Sequence, residues 1–370
     1  MAQIRVAVIG TRGFPGLQGG VEKHCEELYP RLVKLGCRVR VYARKCYVGP
    51  TRKDYKGVEI YPLWAPRKKS IEAVVHTFLA VLHAGLNRKN FDIVHIHAIG
   101  PSLLAPLARM FGFKVIVTNH GPDYDREKWG FFAKTVLRMG ERAGASFATR
   151  LISVSKHIKK TIEQRYNRQS LYIPNGVEIK PLTRPGALMG RYGLKKHGYA
   201  LAVGRLVPEK GFHDLLDAFA GIDTDWKLVI AGNADHEDDY SRGLREKAAR
   251  DSRVVLTGFI TGPGLSEVYS NAGFLVLPSY HEGLPITILE AMSYNLPVLA
   301  SRIPANTELI ENEERSFMPG DIAAMKEKIS RAIHGDAGKD TAPANKKRIQ
   351  EEFNWDNIAK ETMKVYNSVL

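Results

Sequence analysis

Cysteine is scarce in this chain. Three occur in 370 residues, Cys25, Cys37 and Cys46, and no two are spaced as C-x-x-C. A disulfide scaffold or a zinc ribbon is thereby excluded, and a reducing compartment is the default. Long hydrophobic runs are lacking as well. The longest, residues 71–86, is interrupted by Glu72, His76 and His83 and falls short of the roughly 20 residues that a spanning helix needs. The opening MAQIRVAVIG reads directly as a strand rather than as a secretory leader, so a cytoplasmic chain is expected. Acid is the third scarcity, and it is local. Residues 1–175 carry 12 Asp+Glu against 30 Lys+Arg, a net of +18, whereas residues 176–370 carry 27 against 24, a net of −3. The net charge of +15 is therefore a property of one half. Such asymmetry points to an anionic partner: nucleic acid, anionic lipid or a phosphorylated substrate. No helix-turn-helix, zinc-finger or RNP-like pattern accompanies the charge, so no nucleic-acid partner is expected.

What is present is an ordinary soluble balance, 44% hydrophobic and 25% charged, in a length suited to two domains. In the first half, β-branched runs at 4–9, 37–42, 92–98, 114–118, 151–154 and 171–173 alternate with helix-patterned segments such as 21–35. The second half repeats the alternation, with runs at 199–203, 226–231, 253–256, 273–277 and 297–300. Strands alternating with helices predict parallel sheets covered on both faces. The expected fold class is α/β: two Rossmann-like, doubly wound parallel-sheet domains facing a cleft. Their expected bounds are 1–178 and 179–353, with 179–198 as a polar lead-in and 354–370 as a helix returning to the N-terminal domain.

Four segments carry chemistry. After the first strand comes Gly10-Thr-Arg-Gly13-Phe-Pro-Gly16-Leu-Gln-Gly19-Gly20, then a helix. Glycines let backbone N–H groups approach a phosphate, and a helix N-terminus adds positive potential. A dinucleotide oxidoreductase is the rival reading. The spacing is not G-x-G-x-x-G, and the second strand ends Val41-Tyr42-Ala43-Arg44 without a ribose-binding acid, although Arg44 suits a 2′-phosphate. The second segment, Gly204-Arg205-Leu-Val-Pro-Glu-Lys210-Gly211, follows a strand. Arg205 can grip two phosphate oxygens and Lys210 adds a point charge, the neutralisation that a departing diphosphate needs; a surface ion pair with Glu209 is the bland reading. The third, His281-Glu282-Gly283-Leu284-Pro285-Ile-Thr-Ile-Leu-Glu290, leads from a buried strand into an apolar helix. An acid there is costly unless paired or bound to a ligand.

HEGLPITILE resembles the E-x7-E signature of the retaining glycosyltransferases of family 4, which have the GT-B fold. GRLVPEKG resembles that group's phosphate-binding motif, and Gly19-Gly20-Val21-Glu22 its N-terminal glycine loop. The resemblance covers essentially the whole chain. It implies a metal-independent transfer of a sugar from a nucleotide-diphosphate donor to a hydroxyl, with no cofactor beyond that substrate. It further implies that Arg205 and Lys210 hold the diphosphate, that Glu290 binds the ribose, and that Glu282 contacts the transferred sugar. Gly19, Gly20 and the backbone of Gly283 and Leu284 complete the implied donor site. Two other readings of the same fold stay open, a sugar-nucleotide epimerase or phosphorylase and a non-catalytic membrane-binding protein.

The fourth segment, Val117-Thr-Asn-His120-Gly-Pro-Asp123, ends a strand. In the resembled family a histidine here binds the sugar or activates the acceptor, so His120 joins Glu282, Arg205 and Lys210 as a catalytic candidate. Asp123-Tyr-Asp125 spells the D-x-D metal motif of a different glycosyltransferase fold, which two parallel domains do not fit. His95-x-His97 sets two imidazoles on one strand face, but no third ligand is evident from spacing, and no metal is expected. Residues 126–142 then read as a basic amphipathic helix, with Trp129, Phe132, Val136 and Met139 in a stripe and Lys128, Lys134, Arg138 and Arg142 between them. By itself the stripe reads as the core face of a domain helix. With the surplus of cations it suits an anionic membrane, as does Pro66–Lys69 with the run after it. The expected partners are thus a nucleotide sugar, a glycan or lipid-linked acceptor, and the inner face of a membrane.

Overall fold

The computed structural model describes residues 3–51, 53–66, 71–122, 124, 130–336 and 342–370. It divides into two compact units, one formed by Met1–Asn175 with Trp355–Leu370 and the other by Gly176–Asn354.

The first unit is built on eight strands: β1 (Arg5–Ile9), β2 (Arg38–Arg44), β3 (Lys53–Tyr55), β4 (Val58–Leu63), β5 (Ile93–His97), β6 (Lys114–Asn119), β7 (Arg150–Ser153) and β8 (Leu171–Tyr172). They lie in the order β3-β4-β2-β1-β5-β6-β7-β8, all parallel except β3 against β4. Strand β1 is buried almost throughout because helices cover both faces of the sheet, and its sequence is accordingly continuous Val-Ala-Val-Ile rather than alternating. The β3–β4 hairpin is absent from the sequence-based expectation. Its segment Lys53-Asp-Tyr-Lys-Gly-Val-Glu reads as a charged turn, and Lys56 and Gly57 do turn with positive φ. Only pairing of β4 with β2, in the register Val41↔Ile60, makes it part of the sheet.

The second unit holds β9 (Tyr199–Val203), β10 (Lys227–Ala231), β11 (Val254–Gly258), β12 (Phe274–Leu277), β13 (Val298–Ser301) and β14 (Ser316–Phe317), in the order β11-β10-β9-β12-β13-β14 and all parallel. Each sheet reverses its direction of winding once, between β1 and β5 in the first unit and between β9 and β12 in the second. In open α/β sheets, ligands bind beyond the carboxyl ends of the strands at such reversals.

The last helix, Trp355–Asn367, belongs to the first unit. Trp355, Ile358, Ala359, Val365 and Tyr366 recur at helical spacing and join a core with Cys25, Leu28, Tyr29 and Leu32 of the helix Gly20–Lys34. Each large apolar side chain buried there contributes about 1.5–3 kcal/mol.

The helix Phe131–Phe147 departs from the core-face reading of its stripe. Phe132 is 81% and Met139 56% exposed, and Phe131 at its start is 87% exposed. Its buried side is Gly140, Glu141, Gly144 and Ala145. A Cβ at Gly140 would lie 2.2 Å from the Ile99 carbonyl oxygen, so the small residues bring the helix backbone directly onto the loop after β5 and turn the large ones outward. Trp129, Lys128 and the Asp123/Asp125 pair, with residues 67–69, lie outside the described residues. Among the described residues, no helix is long and apolar enough to cross a membrane.

Candidate functional site

In the second unit, the loops leaving β9, β10 and β12 lie side by side because those strands are adjacent. Gly204 donates to Ala231 O and Leu206 to Asn233 O, which ties the Arg205 segment to the end of β10. On the other side Tyr280 donates to Glu209 O at 2.9 Å, which ties it to the loop after β12. Gly211 makes this second junction possible. Its φ is +66°, and a Cβ would stand 2.3 Å from the Pro278 carbonyl oxygen.

Both predicted cations therefore stand at the winding reversal, each against a carboxylate. Arg205 Nη1 donates to Asp235 Oδ2 at 2.9 Å, with both side chains about one-fifth exposed. Lys210 Nζ donates to Glu282 Oε1 at 2.5 Å, and the same oxygen accepts from Ser279 Oγ at 2.7 Å. The bland reading, a pair with Glu209, is not the geometry found: Lys210 turns to Glu282, 72 residues away. Gly283 and Leu284 lead through Pro285 into the helix Ile286–Ser293. Glu290 lies on that helix half-buried, and its Oε2 accepts from Tyr269 OH at 2.9 Å. Burial first, and then the charge of Glu290, push the Tyr269 phenol well above its ordinary pKa, so it stays a donor.

Sequence reading passed over Asp235, Ser279 and Tyr269. A lone acid after β10, a serine after β12 and a tyrosine in the helix Gly262–Asn271 carry no local signal. Only the adjacency of the strands selects them.

In the first unit, the glycine loop follows β1 at the other reversal. Glu22, 6% exposed in the first turn of the helix Gly20–Lys34, accepts from the Arg12 amide at 3.1 Å and from its guanidinium. Burial works against the charge on Glu22, but the Arg12 interactions outweigh it and hold its pKa below the ordinary carboxylate value. Gly19 lies against this pair, where a Cβ would be 2.1 Å from Glu22 Oε2. Thr11 and Glu26 take the Gly13 and Gly16 amides. Two amides of the expected cradle, those of Gly13 and Gly16, are thus engaged within the first unit itself.

His120 follows β6 and is half-buried. Its Nε2 is 2.9 Å from His97 Nδ1, and its ring is edge-on to His24 with centroids 4.8 Å apart. His97 stacks on His95, with centroids 4.4 Å apart, as their shared strand face requires. His95 bonds Tyr366 OH at 2.7 Å and Thr118 Oγ1 at 2.8 Å. Burial holds these imidazoles neutral: His24 is depressed to about 4 and His95 to about 3, with His97 and His120 also well below the ordinary value. His24, on a helix face, was not singled out by sequence reading.

Comparison with known proteins bears on both units. The family model described as Glycosyltransferase Family 4 matches residues 18–180, and that described as Glycosyl transferases group 1 matches residues 190–351. The chain is 28% identical over 183 residues to the O-antigen chain mannosyltransferase B of Escherichia coli, spanning 48% of each chain. It is 29% identical over 255 residues, 65% of each chain, to the UDP-Gal:alpha-D-GlcNAc-diphosphoundecaprenol alpha-1,3-galactosyltransferase of the same organism. The sucrose-phosphate synthase structure from Thermosynechococcus elongatus superimposes over 99% of both chains, with a TM-score of 0.84 at 23% identity. The fold is thereby GT-B.

Proposed function

From the premise that this chain belongs to glycosyltransferase family 4, the glycosyl transferases group 1, we propose a retaining transfer of a sugar from a nucleotide-diphosphate donor to a lipid-linked glycan precursor in cell-surface polysaccharide synthesis. The observation that carries this reading is the placement of Arg205 and Lys210 at the winding reversal of the second sheet, each oriented by a carboxylate. In this reading the second unit holds the donor. Arg205 and Lys210 take the diphosphate and stabilise the charge that builds on it as the bond to the sugar carbon breaks, a task that then needs no divalent ion there. Glu282 is already in contact with Lys210, so the carboxylate that meets the sugar hydroxyls also fixes the cation that meets the phosphate. Glu290 accepts from the ribose, and the amides of Gly283 and Leu284 complete the donor site. The acceptor hydroxyl attacks the face that the leaving group vacates, and the departing phosphate oxygen takes its proton, which yields retention. His120 belongs to the acceptor side in the first unit. No cofactor beyond the substrate is required.

A donor that binds only the native state raises its stability by about 2.7 kcal/mol at a hundred times its dissociation constant. Thermal unfolding against UDP, GDP, ADP and dTDP, each with its sugars, is therefore expected to rise by several degrees for one base alone. A flat response across the whole panel would count against the donor assignment.

The lipid-linked acceptor draws support from the first unit. Its +18 is accompanied by Phe78, Met110, Phe131, Phe132 and Met139, all exposed on three neighbouring helices, Glu72–Leu86, Ala105–Met110 and Phe131–Phe147. Lys134, Arg138 and Arg142 lie among them. This is the make-up of a surface that docks on the anionic inner face of a membrane. Co-sedimentation with phosphatidylglycerol vesicles is expected to exceed that with phosphatidylcholine, and Lys134→Ala and Arg138→Ala to weaken it by about fivefold each, from about 1 kcal/mol per cation. Equal partition onto both vesicles would remove the membrane from the reading.

A further inference from the structure

His24, His97 and His120 come from three separate elements, the helix Gly20–Lys34, the end of β5 and the residue after β6. One ring nitrogen of each lies within 4.8 Å of the others. We propose that these three imidazoles bind one divalent transition-metal ion of the zinc class.

Three features of the cluster suit a ligand set. First, His24 is 2% exposed and oriented from behind. Its Nδ1 is 2.9 Å from Asn175 Oδ1, an acceptor, so Nδ1 carries the proton and Nε2 presents a lone pair. That Nε2 is buried without a hydrogen-bond partner. Second, His97 is held from its far side: Nε2 bonds Tyr29 OH, which also reaches His95 Nδ1 at 3.1 Å, while Nδ1 faces His120. A metal-bound histidine characteristically has its other nitrogen hydrogen-bonded in this way. Third, the donors are all nitrogen. Imidazole sets favour zinc, copper and nickel over magnesium and calcium, which take oxygen.

The geometry is near what such an ion needs. With metal–nitrogen bonds of about 2.0–2.1 Å, tetrahedral donors stand about 3.3 Å apart. His97 Nδ1 and His120 Nε2, at 2.9 Å, must open slightly, and the set as a whole, now within 4.8 Å, must settle to that spacing. Trp355, with its ring centroid 5.5 Å from that of His24, packs against the ring, His120 is half-buried, and a water would take the fourth position of an ion held by three imidazoles. An ion there engages the His120 nitrogen, so His120 serves either the metal or the acceptor.

The test uses the full-length chain, stripped with a chelator and titrated with cobalt(II) in the absence of any nucleotide sugar, so its failure leaves the transfer reading untouched. One cobalt per chain should bind, with the intense visible bands of a four-coordinate nitrogen site. His24→Ala should abolish those bands, and Asn175→Ala should weaken binding by about 10–100-fold. Should His24→Ala fail to fold, zinc-edge X-ray absorption of the unaltered protein decides. A shell of three imidazoles supports the site. A sulfur shell, which would place the ion on exposed Cys46, overturns it, as do absent bands or unchanged binding in His24→Ala.

Discussion

Arg205→Ala is expected to lower sugar transfer by about 10²–10³-fold, the usual effect of removing one preorganised donor to a developing anion. The fold should survive. Arg205 and Asp235 are each about one-fifth exposed, so water can solvate the carboxylate left behind. Most of the loss belongs in kcat, because the charge on the leaving diphosphate is greatest in the transition state. Arg205→Lys keeps the charge without the planar two-pronged grip and should recover only part of the rate. Lys210→Ala differs in kind. It leaves Glu282, 12% exposed, with the Ser279 hydroxyl still donating to it but without its cation, and so disturbs the proposed sugar contact as well. Steady-state rates with circular dichroism on each variant check the prediction. Transfer by Arg205→Ala within twofold of the parent would end the diphosphate assignment.

The second large effect is on stability. His24, His95, His97 and His120 are neutral in the folded first unit because burial opposes their charge, and His24 and His95 are depressed to about 4 and about 3. In the unfolded chain each titrates near 6.5. Between that value and the folded one the unfolded state binds more protons, so stability falls as pH falls. The stabilising contribution is complete above about pH 6.5 and is lost progressively toward pH 4, on the order of 2 kcal/mol for His24 and for His95 between pH 7 and pH 5, with His97 and His120 acting in the same direction. Glu22 and Asp92, whose pKa values are lowered, act in the same direction only at lower pH. Trp355 lies beside His24 and gives a fluorescence signal for this unit. Urea midpoints at pH 7, 6 and 5 should drop steeply, and His95→Gln should flatten the slope. A midpoint independent of pH over this range would show that the cluster is charged or hydrated in the folded state.

Much of this protein is written locally. The α/β class follows from β-branched runs alternating with helical periods, since buried parallel strands require continuous apolar segments such as Val6-Ala-Val-Ile9. Arg205, Lys210, Glu282 and Glu290 announce themselves because glycine, proline and charge are set there at spacings that a merely packed loop has no reason to keep. The β3–β4 hairpin did not, because β3 is only Lys53-Asp-Tyr, short and charged, and β4 joins the sheet only by pairing with β2. Nor did the outward turn of Phe132 and Met139. Helical periodicity identifies a stripe without stating which side the sheet will take, and here close approach at Gly140 decided it.

The amino-acid order by itself determined the fold class, the basic character of the first 175 residues and the choice of Arg205, Lys210, Glu282 and Glu290 as site candidates, because each depends on composition or on neighbours in the chain. Tertiary structure alone decided which carboxylate each cation meets and that His24 joins His97 and His120. Those pairings join residues 30 to 96 positions apart in the chain, and only strand order and helix packing bring such residues together.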